Sequence, residues 1–365
     1  MKLKKIVFHS LKSVSLLAVL SVALVSCKDS DPDPQPIPEA FGSGVYIVNE
    51  GAYGQGNGDI TYYNPNTSAL NQAIFKTANT RPLGDVPTDI LFNGSKNYIV
   101  VNNSQPTKIE VVNAGNCKSV SLITGFSSPR QILKINEDLA YISDIAAGKI
   151  HKIDLKKDAY LGFIPTQKAV EQMLKFGDKV FAANWSNAYV EGDNSTLQVI
   201  DINSNTVVHT LNLVKEPQSM VLDKNNKLWV LCAGGWDPKS DTLPALYCIN
   251  PTTYTIEKTL WFANKSMAPS NLKLSTDKAS LYYLLGANIY KLSLDATAIP
   301  ATEAAYIKTT AMGLYNMGID PKTGDIYVTN PKDYSQNGEV LRYDKMGKFI
   351  KSISTGVVPS AVLFK

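Results

Sequence analysis

The chain has 365 residues, with 36 Lys and Arg against 32 Asp and Glu, three His and four Cys. Its formal charge of +4 resides in residues 1–26, which hold Lys2, Lys4, Lys5 and Lys12 and no acid, so the remainder carries 32 of each sign and is neutral. With Arg81, Arg130 and Arg342 as the only arginines, that balance excludes a basic nucleic-acid-binding surface and makes bidentate clamping of phosphate scarce.

The first element is a leader. The lysines precede an apolar run from Val14 to Val25, and Leu24-Val25-Ser26-Cys27 has the small-residue cleavage site before Cys that resembles a bacterial lipoprotein signal. The run is short for a membrane-spanning helix. Residues 1–26 therefore read as a signal peptide and Cys27 as the lipidated residue. Lys28-Asp29-Ser30-Asp31 then resembles the signal that sends Bacteroidetes lipoproteins to the outer leaflet of the outer membrane, at the cell surface. Residues 27–43, rich in Pro and Asp, read as an extended spacer, and 44–365 as one domain.

Within that domain a segment recurs about every 40 to 50 residues, the spacing of propellers and other repeat folds. Copies start at Pro87-Thr88-Asp89-Ile90, Pro129-Arg130-Gln131-Ile132, Glu171-Gln172-Met173, Pro217-Gln218-Ser219-Met220, Pro269-Ser270-Asn271-Leu272, Tyr315-Asn316-Met317 and Pro359-Ser360-Ala361-Val362. After each of the first six starts comes a β-branched or aromatic run such as Asn97–Val101, Leu139–Ser143, Lys179–Ala183, Lys227–Leu231, Ser280–Leu284 and Asp325–Thr329. A third run ends on a turn residue, as at Asn113, Asp154, Asp201, Asn250 and Asp344. Val45–Asn49 has second-strand character with no first strand before it, and Pro359–Phe364 is a first strand with nothing after it. Together they complete one unit. The expected fold is all-β, a seven-bladed β-propeller of four-stranded antiparallel blades whose C-terminal strand joins the N-terminal blade and closes the ring.

Catalytic chemistry is poorly represented. Once His9 leaves with the leader, His151 and His209 remain, both inside strands of different blades, where a satisfied sheet contact is the commoner role. No catalytic triad and no metal site are expected. The glycines from Gly51 to Gly58 lack the following helix and lysine of a phosphate loop. Glu50, Asp144 and Asp237 fall at ends of second strands, so a propeller hydrolase or lyase with paired acids stays open as an alternative. Cys117, Cys232 and Cys248 read as small buried hydrophobes, with a Cys232–Cys248 disulfide conceivable.

The loops after the second strands all open on one face, and they are rich in amide and aromatic groups. Candidate ligand-binding residues there are Asn49, Tyr53, Asn102, Asn103, Asp144, Asn184, Trp185, Tyr189, Trp236 and Tyr334, with Arg130 reaching the same face from a connection between blades. Single Asn and Gly residues in such loops commonly serve turn geometry. Trp185, Tyr189 and Trp236 are poorly explained that way.

Val45-Tyr46-Ile47-Val48-Asn49-Glu50-Gly51, Leu83-Gly84-Asp85-Val86, Val100-Val101-Asn102-Asn103-Ser104, Ile123 to Arg130 and Glu171-Gln172-Met173 resemble the YncE-like "surface layer" propeller lipoproteins of gut Bacteroidetes. Within that group the chain is similar to BtuG-type cobamide-binding surface lipoproteins. The resemblance implies capture of a corrinoid such as vitamin B12 (cobalamin) and its delivery to a TonB-dependent outer-membrane transporter, with no catalytic step. Related propellers imply siderophore capture as an alternative. A corrinoid is a broad ring with amide arms that suits apolar and amide partners, whereas a ferric catecholate siderophore calls for Lys or Arg. A structural envelope or adhesion role is a third class.

Overall fold

The computed structural model describes residues 41–186, 194–235 and 242–365. The leader, Cys27, Tyr189, Trp236 and Asp237 lie outside the described residues.

Seven four-stranded antiparallel sheets make up the described fold. Blades are numbered along the chain, each written from the innermost strand outward. Blade 1 is Asp85–Asn93, Lys96–Asn103, Lys108–Asn113 and Ser119–Thr124. Blade 2 is Pro129–Lys134, Leu139–Asp144, Lys149–Asp154 and Ala159–Pro165. Blade 3 is Met173–Phe176, Lys179–Asn184, Thr196–Asp201 and Thr206–Asn212. Blade 4 is Pro217–Leu222, Leu228–Cys232, Ala245–Asn250 and Thr255–Trp261. Blade 5 is Ser270–Leu274, Ser280–Leu285, Asn288–Ser293 and Ile307–Lys308. Blade 6 is Met317–Ile319, Ile326–Asn330, Asn337–Tyr343 and Phe349–Val357. Blade 7 takes Pro359–Phe364 as its inner strand, followed by Val45–Asn49, Asp59–Tyr63 and Leu70–Asn71.

The closure is thus the one expected from the two unmatched ends. Val45 pairs with Phe364 and Ile47 with Val362. Gly44 and Lys365 exchange backbone hydrogen bonds of 3.1 and 3.0 Å. Packing starts slightly before position 44: Phe41 is buried in the core and its N–H donates to Gly115 O.

Strand alternation explains the core. Along the second strand of blade 1, Ile99 and Val101 face blade 7, while Tyr98 and Val100 face blade 2. The same rule gives seven apolar clusters, one at each blade-to-blade boundary, the last joining Tyr327 and Val340 of blade 6 to Val45, Ile47 and Val362 of blade 7. Each side chain so buried contributes about 1.5–3 kcal/mol relative to exposure. Where the outer strand of blade 7 is only two residues long, a helix at Ile74–Asn79 places Ile74 and Phe75 on the blade 7–blade 1 cluster. The Asp59 carboxylate accepts from the N–H groups of Phe75 and Lys76, both at 3.0 Å, and fixes that helix start.

Cys117, Cys232 and Cys248 are free and buried, with Cys232 opposite Ala245 and Cys248 opposite Trp229. His151 is fully buried, its ring nitrogens 3.0 Å from Tyr160 Oη and 3.1 Å from Asp144 Oδ2, and His209 stacks on Tyr254.

Blades are also stapled near the axis by polar side chains. Asp89 Oδ2 accepts from Ile132 N–H (3.1 Å), Gln131 Oε1 from Met173 N–H (2.6 Å), and Ser219 Oγ from Leu272 N–H (3.0 Å). Gln172 Oε1 likewise accepts from Met220 N–H, and Asn271 Nδ2 donates to Tyr315 O at 2.9 Å. In each case a residue just before the buried apolar position of one inner strand bonds the next blade. Gln131→Ala removes one such acceptor and leaves the Met173 N–H at the axis unpaired. Urea unfolding of this variant is expected to show a loss of roughly 1–3 kcal/mol; an unchanged midpoint would show that the staple contributes nothing.

Candidate functional site

Inner strands run from one face of the disk to the other, so the second-to-third loops and the connections between blades open on the same face, the mouth. There the axis widens into a cavity of about 470 Å³ to which all seven inner strands or their approaches contribute. Polar residues dominate its wall because the staples stand there, and five acidic or basic side chains border it: Glu50, Asp89, Arg130, Glu171 and Lys273.

Arg130 and Glu171 form a fork, Nε to Oε2 at 3.0 Å and Nη2 to Oε1 at 3.1 Å. Both side chains are about one-fifth exposed, 22% and 21%, and that exposure is toward the cavity they border. Glu50 receives long hydrogen bonds from Tyr315 Oη at 3.3 and 3.4 Å. Burial raises the Glu50 pKa, and nearby Arg130 and the Tyr315 hydroxyl offset part of the rise. Burial likewise pushes Asp89 up to about 6, against the pull of the N–H groups of Ile132 and Ile90 and of the Lys273 charge. Lys273 is lowered by burial and held up in part by Asp89. In the other blades the matching inner-strand position is Leu91, Leu133, Leu174, Val221, Gly318 or Leu363, so Lys273 stands alone among apolar residues.

Aromatic groups ring the mouth. Trp185 is half-buried on the cavity wall. Tyr315 packs edge-on against Tyr334, centroids 5.9 Å apart, and Tyr334 is 53% exposed. Tyr53, on the long loop of blade 7, is 77% exposed, and that loop is tied to blade 1 by Gly54 N–H donating to Asp85 Oδ2 at 2.7 Å.

Of the residues expected at a site, Arg130 and Trp185 line the cavity, Tyr334 packs on Tyr315 of its wall, and Tyr53 lies on the blade 7 loop of the same face. Three others lie inside the blades instead. Asn49 Nδ2 donates to Asp59 O and Thr61 Oγ1 while its Oδ1 accepts from Gly356 N–H. Asn184 bonds Ala169 O, Gln198 Oε1 and Thr196 Oγ1. Asp144 has zero exposure and takes N–H donors from Ser127, Ser128, Ala146 and Ala147 together with His151. Burial alone would raise its pKa, but those donors hold it below the usual carboxylate range. The polar atoms of all three are committed to the fold. Asn102 is also committed in part, to Ser128 Oγ and Pro129 O, and Asn103 to Asp85. Glu50 and Asp144 are therefore separated by environment, one at the cavity and one within blade 2. Arg81 pairs with Glu110 at 2.7 Å, over the Phe75 ring.

The axial tier of Asp89, Glu171, Gln172, Gln218, Asn271, Lys273 and Tyr315 was not among the residues expected at a site. The signal for it exists in the chain: every repeat start sets a polar or small residue immediately before its buried apolar one.

A family model described as a domain of unknown function (DUF5074) matches residues 43–365. No curated relative matches the chain at significant similarity. Among solved structures, a quinoprotein alcohol dehydrogenase-like protein from Bacteroides thetaiotaomicron is similar with a TM-score of 0.69 and 17% identity, over 90% of this chain and 79% of that one. A candidate 6-phosphogluconolactonase from Bacteroides uniformis has a TM-score of 0.61 at 12% identity, and a functionally unknown protein from Desulfotomaculum acetoxidans one of 0.62 at 11%; each covers 88% of this chain and 99% of its own. At such identities the likeness establishes the propeller fold alone.

The raised Asp89 makes a signed prediction. Its folded pKa of about 6 lies above the ordinary 3.8, so the folded state holds this proton longer than the unfolded chain does. The stabilisation is complete below the unfolded value and is lost as pH rises through about 6. Glu50 contributes in the same direction. Asp89→Asn removes the Asp89 term, so urea unfolding at pH 4 and pH 7 should show the variant gaining on the wild type as pH rises. Parallel profiles would contradict the assignment.

Proposed function

The chain belongs to the DUF5074 family, and from that premise we propose that it is a capture protein: a lipid-anchored propeller on the outer face of the outer membrane that holds a large, neutral, amide-bearing ligand of corrinoid type and passes it to a TonB-dependent transporter. The observation that carries this reading is the set of aromatics on the mouth face, half-buried Trp185 on the cavity wall with exposed Tyr334 and Tyr53 on neighbouring loops, beside a charge-compensated axial cavity. Broad aromatic faces supply contact area at low entropic cost, and loops set on a closed ring lose little freedom on binding.

The tunnel charges support a neutral ligand over an anionic one. Arg130, the one arginine on the cavity wall, is already engaged by the fork of Glu171. An anionic siderophore would have to displace that partner. Of the acids on the wall, Glu171 is held by the Arg130 fork and is no free proton donor, which supports binding over turnover at that pair. A general acid–base pair needs groups free to exchange protons with a substrate.

Capture with the anchor at Cys27 keeps the protein near a membrane partner, and tethering raises the effective concentration for hand-over. Isothermal titration of cyanocobalamin into the full soluble domain should give one-to-one binding. Trp185→Ala should weaken it by about tenfold or more, the effect of removing an aromatic anchor. No heat from cyanocobalamin, cobinamide or adenosylcobalamin would overturn the reading.

A further inference from the structure

The rim is uneven, and the unevenness has a structural cause. In blade 5 the second and third strands are joined by Gly286 and Ala287 alone. Blade 7 spends residues 50–58 on the equivalent loop and blade 6 residues 331–336. Where the loop is missing, the mouth carries a notch of about 630 Å³ walled by the connections on either side of blade 5. That volume falls in the range of small-molecule pockets.

Its chemistry differs from that of the axis. Asn264, Ser266, Met267, Leu285, Thr302 and Leu314 are among the residues that line it, and no charged side chain is present on its described wall. Asn264 Oδ1 is occupied by the Ser266 N–H and hydroxyl, which leaves its amide nitrogen directed to donation. Tyr290 Oη donates to Thr302 O at 2.6 Å and holds the outer wall. Ser270 and Leu314 border both the notch and the axial cavity, so a molecule seated on the mouth can reach into the two at once.

We infer that the notch over blade 5 is a separate subsite that takes an uncharged, amide-bearing arm of a ligand seated on the mouth. Apolar Met267, Leu285 and Leu314 suit the alkyl part of such an arm, and the amide and hydroxyl groups suit its end. A carboxylate at the same place would give up part of its hydration with no cation on the described wall to meet it. The identity of the molecule that supplies the arm rests on the corrinoid reading; the preference of the notch for neutral groups does not.

The test has two arms. In the first, the methyl resonance of Met267 in labelled protein is followed with benzamide and with benzoate. Benzamide should shift it and benzoate should not, while the methyl of Met312, 89% exposed, stays unmoved. Gly313→Trp should abolish the response; a Cβ at Gly313 meets nothing within 4 Å, so the variant is compatible with the fold. Ala268→Trp, at an exposed position of the same wall, is the second filling variant. In the second arm, titration compares cyanocobalamin with its monocarboxylic acids, in which one amide arm has become a carboxylate. The wild type should bind at least one acid about tenfold more weakly or worse, a difference of about 1.4 kcal/mol, and filling the notch should erase the discrimination. If wild type binds no corrinoid, the capture reading fails while the Met267 response still decides the notch. A Met267 methyl indifferent to benzamide, or equal shifts with benzoate, overturns the inference.

Discussion

The pairing of Pro359–Phe364 with Val45–Asn49 is the constraint on which the rest of the molecule depends. Among the described residues every apolar cluster lies between two blades and none within one, so each sheet is stable because both of its faces are covered. An open ring would uncover one face of blade 7 and one of its neighbour, and would expose strand edges to other chains. Closure turns seven small interfaces into one cooperative structure. It also joins the most distant parts of the chain, a contact whose loop-closure cost must be met before the reward appears.

Rigidity near the axis has a second source. The inner strands present N–H groups to the tunnel, and the side chains of Asp89, Gln131, Gln172 and Ser219 satisfy one such group of the next blade. The same residues that lock the ring thereby form the polar wall of the cavity. Charges placed among them are compensated locally, Glu171 by Arg130 and Asp89 in part by Lys273. The aromatics Trp185, Tyr53 and Tyr334 stand outside this compensated set, on loops of the mouth face that the ring holds in place.

Blade number, strand order and the join of the two ends were legible in the chain, because continuous β-branched and aromatic runs bounded by turn residues report directly on a sheet with two covered faces. The site was legible only in part. Trp185 and Tyr334 betray themselves as aromatics in polar loops, whereas Asn49, Asp144 and Asn184 look the same in a sequence whether they face solvent or complete a buried hydrogen-bond set. What separates them is a few residues of register: each ends its strand while still beneath the face, so its polar atoms meet Thr61, His151 or Gln198 rather than the cavity. The axial tier is hardly legible in the sequence for the opposite reason. Gln131 and Gln172 are ordinary in isolation, and only the ring brings them to one place. The short hairpin at Gly286-Ala287 is visible as a two-residue turn, but a notch exists only relative to longer loops on other blades.

Removing Pro359–Lys365 tests the central claim most directly, since it deletes the inner strand of blade 7 while every residue of the other blades and the mouth aromatics stays in place. Thermal unfolding, gel filtration and cyanocobalamin titration on the shortened chain should show a lost or broadened transition, self-association through the exposed edge of Val45–Asn49, and no ligand binding. A monomer that melts in one transition at the wild-type temperature and binds as the full chain does would contradict the account.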